Sequence, residues 1–190
     1  AAGVTPQTAS THVARLLEAE LVVLRTQGRH RYLRLADADI AHALEALSLV
    51  AERHTPADKW SRGPYQPLKA ARTCYGHLAG ELGVRLFDGL LARGTLLPQE
   101  GHFVLSDAGR AELSAIGVTL PERLATSAQR RFAYPCLDWS ERRDHLAGGL
   151  AVSLLERSLA SDWLRRVKGS RALQITPSGE RAFARWLPRA

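Results

Sequence analysis

Two cysteines and two histidines are the residues of this sequence best suited to chemistry. Cys74 and His77 stand three apart, and Cys136 precedes His145 by nine. Thiolate sulfur and imidazole nitrogen together form a donor set that suits zinc or another thiophilic metal. The spacings by themselves are unspecific, because neither Cys-x-x-His nor Cys-x8-His is the thiol pair of a zinc knuckle. Two other readings stay open: thiols activated by neighbouring histidines or arginines for redox sensing, and plain buried thiols. Tyr75, Trp139, Arg72 and Arg143 lie beside these positions and are candidates to line a small-ligand pocket.

The elements that must position the four come from an internal repeat. RTCYGHLAGELGVRLFDGLLARGTL, a short hairpin and LSDAGRAEL occupy about 72–113, while RRDHLAGGLAVSLLERSLASDWL, a hairpin and ITPSGERAF occupy about 142–183. Both carry His-Leu-Ala-Gly (His77 and His145), a leucine-rich helix, a glycine-centred turn and Ser/Thr-x-x-Gly. Glu100-Gly101 and Lys168-Gly169-Ser170 are the expected hairpin tips, and Ser106 and Thr176 the expected N-caps. Each unit reads helix, hairpin, helix, the element order of a degenerate winged helix. Cys74 and His77 fall on one expected helix and share a face. Asp138-Trp139-Ser140-Glu141 reads as a capping box opening the helix of His145. If two such lobes pack about a pseudo-two-fold axis, Cys74, His77, Cys136 and His145 converge.

Charge points to a different partner. The 190 residues carry 26 Lys+Arg against 19 Asp+Glu, a formal charge of +7, which favours a polyanion. Arginine supplies nearly all of the excess, since lysine occurs only at positions 59, 69 and 168. A planar guanidinium grips phosphate or guanine, although Arg and Ala enrichment equally fits a GC-rich genome. Position therefore matters more than number. Thr5-Pro6-Gln7 is a helix start, followed by Ala9, Val13, Leu16 and Leu17 at helical spacing to about Glu20. LVVLRTQGRHRYLRL then reads as a hairpin turning at Gln27-Gly28. Arg25, Arg29, Arg31 and Arg34 sit in it without one carboxylate.

GVTPQTASTHVARLLEAELVVLRTQGRHRYLRL resembles the recognition helix and wing of the ArsR/SmtB family of bacterial winged-helix repressors. The matching elements are Gly3-Val4-Thr5, Ser10-Thr11-His12, Leu16-Leu17 and Gly28-Arg29-His30-Arg31-Tyr32-Leu33-Arg34-Leu35. The resemblance covers about residues 1–53 and implies that the helix reads the major groove of an inverted-repeat operator while the wing grips the backbone. It implies DNA contacts from Thr5, Gln7, Thr8, Ser10, Thr11, His12 and Arg15 on the helix. On the wing it implies Arg25, Gln27, Arg29, His30 and Arg31. A following helix, with Ile40, Leu44, Leu47 and Val50 on one face, would pair protomers into a homodimer. The start at AAGVTPQT, with no methionine in the chain, reads as a fragment whose two preceding helices are missing. Some relatives bind metal through an Asp-x-His pair in the pairing helix, but Ile40 takes the carboxylate's place before His42.

The expected architecture is mainly α with small β-hairpins (α+β). A partial winged helix-turn-helix at 1–53 is followed by a Pro/Gly-bearing linker at 54–68. A duplicated region at 69–190 then holds winged-helix-like repeats at about 69–120 and 134–187. The expected function is a transcription regulator, a repressor that binds double-stranded DNA. The duplicated region would sense an effector, a metal such as zinc, or oxidation through its thiols. The alternative is a winged-helix module that binds protein instead of DNA. An enzyme is not expected, because phosphate-loop, Gly-x-Ser-x-Gly and His-Glu-x-x-His motifs are all absent. No apolar run approaches membrane-spanning length, and with no signal peptide and only two cysteines the expected location is the cytoplasm.

Overall fold

The computed structural model describes residues 3–27, 30–52, 66–120 and 132–187. It is a mixture of helices and small antiparallel hairpins, an α+β structure. Two compact units divide it, Ala1–Leu44 and Glu45–Ala190.

In the first unit Thr5 opens helix α1 (Pro6–Glu18). Its hydroxyl accepts a hydrogen bond from the Thr8 N–H at 3.2 Å, and Pro6 takes the first helical position, where no N–H is needed. Glu20 lies beyond the helix instead of inside it, because its φ of +55° is incompatible with a right-handed turn. Strands β1 (Val22–Gln27) and β2 (His30–Leu35) pair antiparallel from Val22↔Leu35 to Gln27↔His30. Helix α2 (Ala38–Glu52) follows, and Asp37 caps it by accepting from the Ile40 N–H at 2.9 Å. The division between the units falls inside α2. Most of the expected 54–68 linker lies outside the described residues, and its last three residues already belong to helix α3 (Gln66–Ala70).

The second unit runs through one element order twice. The first pass is the hairpin β3 (Arg72–Cys74) and β4 (His77–Ala79), helix α4 (Glu81–Ala92), the hairpin β5 (Leu96–Gln99) and β6 (His102–Leu105), and helix α5 (Asp107–Ala115). The second is β7 (Tyr134–Leu137) and β8 (Asp144–Ala147), helix α6 (Gly149–Ala160), β9 (Leu164–Arg166) and β10 (Leu173–Ile175), and helix α7 (Pro177–Phe183). Each pass therefore has a hairpin in front of the expected helix-hairpin-helix. The expected helix through Cys74 and His77 does not exist. Leu78, Leu82, Leu86 and Leu90 keep a four-residue spacing that imitates one continuous helix. Gly80 interrupts it with a φ of +82°, and the helix begins only at Glu81.

The Ser/Thr-x-x-Gly motifs show why sequence and structure agree where they do. The Ser106 and Thr176 hydroxyls each accept from the N–H of the motif glycine, Gly109 and Gly179, at 3.0 Å. A Cβ on Gly109 would lie 2.4 Å from the Thr95 carbonyl oxygen, and one on Gly179 would lie 2.1 Å from that of Trp163. The cap residue holds the helix start, and the glycine lets that start press against the preceding turn.

The core of this unit draws on α4 and α6, packed on the leading hairpins of the opposite passes (α4 on β8, α6 on β4), with Leu90 and Leu150 fully buried. Phe132, Phe183 and Trp186 close it from the sides. The two passes also exchange backbone hydrogen bonds. The Thr73 N–H donates to Arg171 O and the Leu173 N–H to Ala71 O, both at 2.9 Å, while the Phe103 N–H donates to Ala133 O at 2.8 Å. Each leading hairpin thus leans on the second hairpin of the other pass. That exchange brings the two cysteine-bearing hairpins side by side.

Candidate functional site

The four sulfur and nitrogen candidates meet in the second unit. One ligand atom from each of Cys74, His77, Cys136 and His145 lies within 4.8 Å of the others, and all four residues are buried. They meet as two cross-strand pairs and not as a helix face. Cys74 stands opposite His77 on β3 and β4, and Cys136 opposite His145 on β7 and β8. Cross-strand partners on one face of a hairpin are close neighbours. The first hairpin turns through Tyr75, whose φ of +54° lets the Gly76 N–H reach Cys74 O at 2.7 Å. A non-glycine residue in this region carries strain, which the surrounding structure must hold. The second hairpin has a longer loop, so the two Cys-to-His spacings look unrelated in sequence although the positions are equivalent.

His77 Nε2 and His145 Nε2 are 3.0 Å apart, and both rings turn their Nε2 edges inward. His145 Nδ1 lies 3.0 Å from Asp138 Oδ2, an ion-pair distance at which the N–H is not aligned for a linear hydrogen bond. Asp138 Oδ2 accepts instead from the Gly80 N–H at 2.7 Å, and Oδ1 accepts from Arg72 at 2.9 Å and from the Ser140 hydroxyl at 2.8 Å. Arg72 is wholly buried, with its guanidinium 4.6 Å from the centre of the Trp139 ring. The capping-box reading of Asp138-Trp139-Ser140-Glu141 is therefore wrong. The Asp138 carboxylate does accept from the Ser140 and Glu141 N–H groups, but it shapes a hairpin loop and reaches the other pass. Nor do the four expected pocket residues line one cleft: Arg72 and Trp139 are buried against each other, and Arg143 pairs with Asp88 at 2.8 Å.

Electrostatics follow from this packing. The hydrogen bond with Cys136, and then burial, push the Cys74 thiol up to about 12 against the pull of both histidines. Burial acts to raise Asp138, but the contact with His145, the charge of Arg72 and the Gly80 N–H outweigh it and hold the carboxyl well below its usual range. Burial acts to lower His145, yet Asp138 and Cys74 more than compensate and leave it raised. Sequence spacing gave no sign of the roles of Asp138 and Arg72. Only a buried carboxylate facing a buried guanidinium marks them.

The other candidate surface is on the first unit. Thr5, Gln7, Thr8, Ser10, Thr11, His12 and Arg15 are all exposed on or beside α1. Ser10 and Thr11 turn their hydroxyl protons onto the carbonyls of Pro6 and Gln7, leaving oxygen lone pairs outward. On the hairpin, Arg25, His30 and Arg31 are exposed. The register divides them: Arg25 and Arg34 share a face with His30 and Tyr32, and Arg31 shares the other with Thr26. Among the described residues, none of Arg25, Arg31 and Arg34 is ion-paired. Arg29 and the side chain of Gln27 lie outside the described residues. By contrast, Arg165 of the second unit is held by Asp162 at 2.6 Å, so the basic residues at 165–171 are partly neutralised.

This sequence is 40% identical over 186 residues to an uncharacterized HTH-type transcriptional regulator of Bacillus subtilis, YdfF, covering 98% of this chain and 81% of that protein. The chain belongs to the HTH-type transcriptional regulators. As a member of that family it is a DNA-binding transcription regulator and not an enzyme. No family model matches the chain, and no solved structure does. Among the described residues, no helix of this regulator is long and apolar enough to cross a membrane.

Proposed function

We propose that this regulator is a repressor of the ArsR/SmtB type that binds an inverted-repeat operator as a homodimer. The observation that carries the reading is an exposed, hydroxyl-rich helix start followed by an arginine hairpin without carboxylates. In this reading Thr5, Gln7, Thr8, Ser10, Thr11, His12 and Arg15 enter or flank the major groove. There, small side chains allow close approach and helix amides favour phosphate. Arg25, Gln27, Arg29, His30 and Arg31 hold the adjacent backbone, where contacts position the protein without reading sequence. Helix α2 joins the protomers. Its Leu44, Leu47 and Val50 leave 47%, 63% and 52% of their surface exposed along one stripe, and a dimer buries such a stripe against its own copy.

The second unit sets when DNA is held. An effector that binds at the Cys/His cluster and prefers the conformation with mis-spaced half-sites must release operator by linkage. The test is selection of DNA from a random duplex pool by the full chain. The expected outcome is an inverted repeat with half-sites about 10–10.5 base pairs apart, or a multiple of that. Enrichment of a single unrepeated site would exclude the dimer, and no enrichment would exclude operator reading.

A further inference from the structure

We propose that Cys74, His77, Cys136 and His145 form a closed, four-coordinate zinc(II) centre, and that Asp138 and Arg72 are its built outer shell. Zinc is held tetrahedrally by two thiolates at about 2.3 Å and two imidazole nitrogens at about 2.0–2.1 Å, which sets ligand atoms about 3.3–3.8 Å apart. The spread of up to 4.8 Å seen here closes with a contraction of about 1 Å, within reach of side-chain rotation. The imidazole nitrogens stand 3.0 Å apart, a hydrogen-bonding distance that must open by about 0.3 Å for both to take the metal. Charge also fits. Zinc entry releases one proton from each thiol, so two thiolates and two neutral imidazoles cancel the dication and leave a buried site with no net charge.

The outer shell is what separates this cluster from four buried residues in accidental contact. Metal-bound histidines keep their other ring nitrogen on a carboxylate or carbonyl, which fixes the tautomer. His145 faces Asp138 with Nδ1 and the cluster with Nε2, the orientation such a ligand needs. Asp138 is fixed in turn by Arg72 and the Gly80 N–H. All of these side chains are buried, and Asp138, Arg72 and His145 have no exposed surface. The site therefore offers no open position for substrate and no path for a bulky oxidant. Each hairpin supplies one Cys and one His, so the ion would clamp the two passes together. This inference rests on the reading of the Cys/His cluster as the ligand site of the second unit; metal binding is read directly on that cluster, so its failure is distinguishable from a failure of operator selection.

The experiment is cobalt(II) titration of the full chain after chelator treatment under reducing conditions, followed by displacement with zinc. The expected result is one equivalent of cobalt with strong tetrahedral visible bands and a near-ultraviolet thiolate charge-transfer band, bleached by one equivalent of zinc. Cys74→Ser and Cys136→Ser should each weaken the charge-transfer band. Asp138→Asn should keep the two-thiolate spectrum and lower zinc affinity about 10–100-fold in competition with a chromophoric chelator. Less than half an equivalent bound, or an octahedral spectrum, would overturn the centre. Unchanged zinc affinity in Asp138→Asn would overturn the outer shell. Should Asp138→Asn not fold, Arg72→Lys tests the shell by the same competition, and unchanged affinity there counts against it in the same way.

Discussion

The two units handle their apolar and charged residues in opposite ways. In the first, Leu16 on α1, Leu24 on β1 and Tyr32 on β2 remain 39%, 37% and 53% exposed, and among the described residues Arg25, Arg31 and Arg34 are not ion-paired. In the second, Leu90, Leu96 and Leu150 are almost wholly buried, and even the ionised pair Arg72–Asp138 is withdrawn from solvent. Burial is the main favourable term in folding, so the second unit supplies stability of its own. The first leaves these side chains exposed. On the function proposed above, contact with DNA falls to the first region and ligand chemistry to the second.

Breaking the buried pair should have the largest effect. Arg72→Ala leaves Asp138 as an uncompensated buried charge and should cost about 3–5 kcal/mol in urea unfolding of the second unit. A loss below about 1 kcal/mol would show that Asp138 is solvated or protonated instead. Next is the core. Leu90→Ala should cost about 2–5 kcal/mol, whereas Leu16→Ala in the first unit should stay within about 0.5 kcal/mol. Equal losses at Leu16 and Leu90 would erase the difference between the units. Smaller again, Ser106→Ala removes the cap of α5 and should lower the thermal midpoint by an amount matching about 1 kcal/mol. An unchanged midpoint would mean the Ser106 hydroxyl does not hold that helix.

The same contrast governs what could be read from residues. Caps were legible at Thr5, Ser106 and Thr176, because a hydroxyl before a helix and a glycine or proline inside its first turn act locally. The hairpin of residues 22–35 was legible too, since alternation and a glycine are local signals, although Gln27, expected in the turn, is the last paired residue of its strand and stands opposite His30. The leading hairpins were not. Their strands are as short as three residues, and the leucine spacing across Gly80 and Gly148 mimics a longer helix. The Cys/His convergence was legible only through the repeat. Spacing puts Cys74, His77 and His145 on helices, whereas two hairpins carry all four residues. Spacing points Asp138 and Arg72 to other roles, because a contact across 66 residues leaves no trace in it.

The claim that the first unit grips DNA through its hairpin is tested most directly by the salt dependence of binding to the selected operator. Each phosphate contact adds about −0.9 to the slope of log K against log salt. Replacing Arg25 and Arg31 together with alanine should make the slope shallower by about 1.8 per protomer while the selected sequence stays the same. A slope identical to that of the unmutated chain would contradict the account, because it would remove the hairpin from the DNA interface.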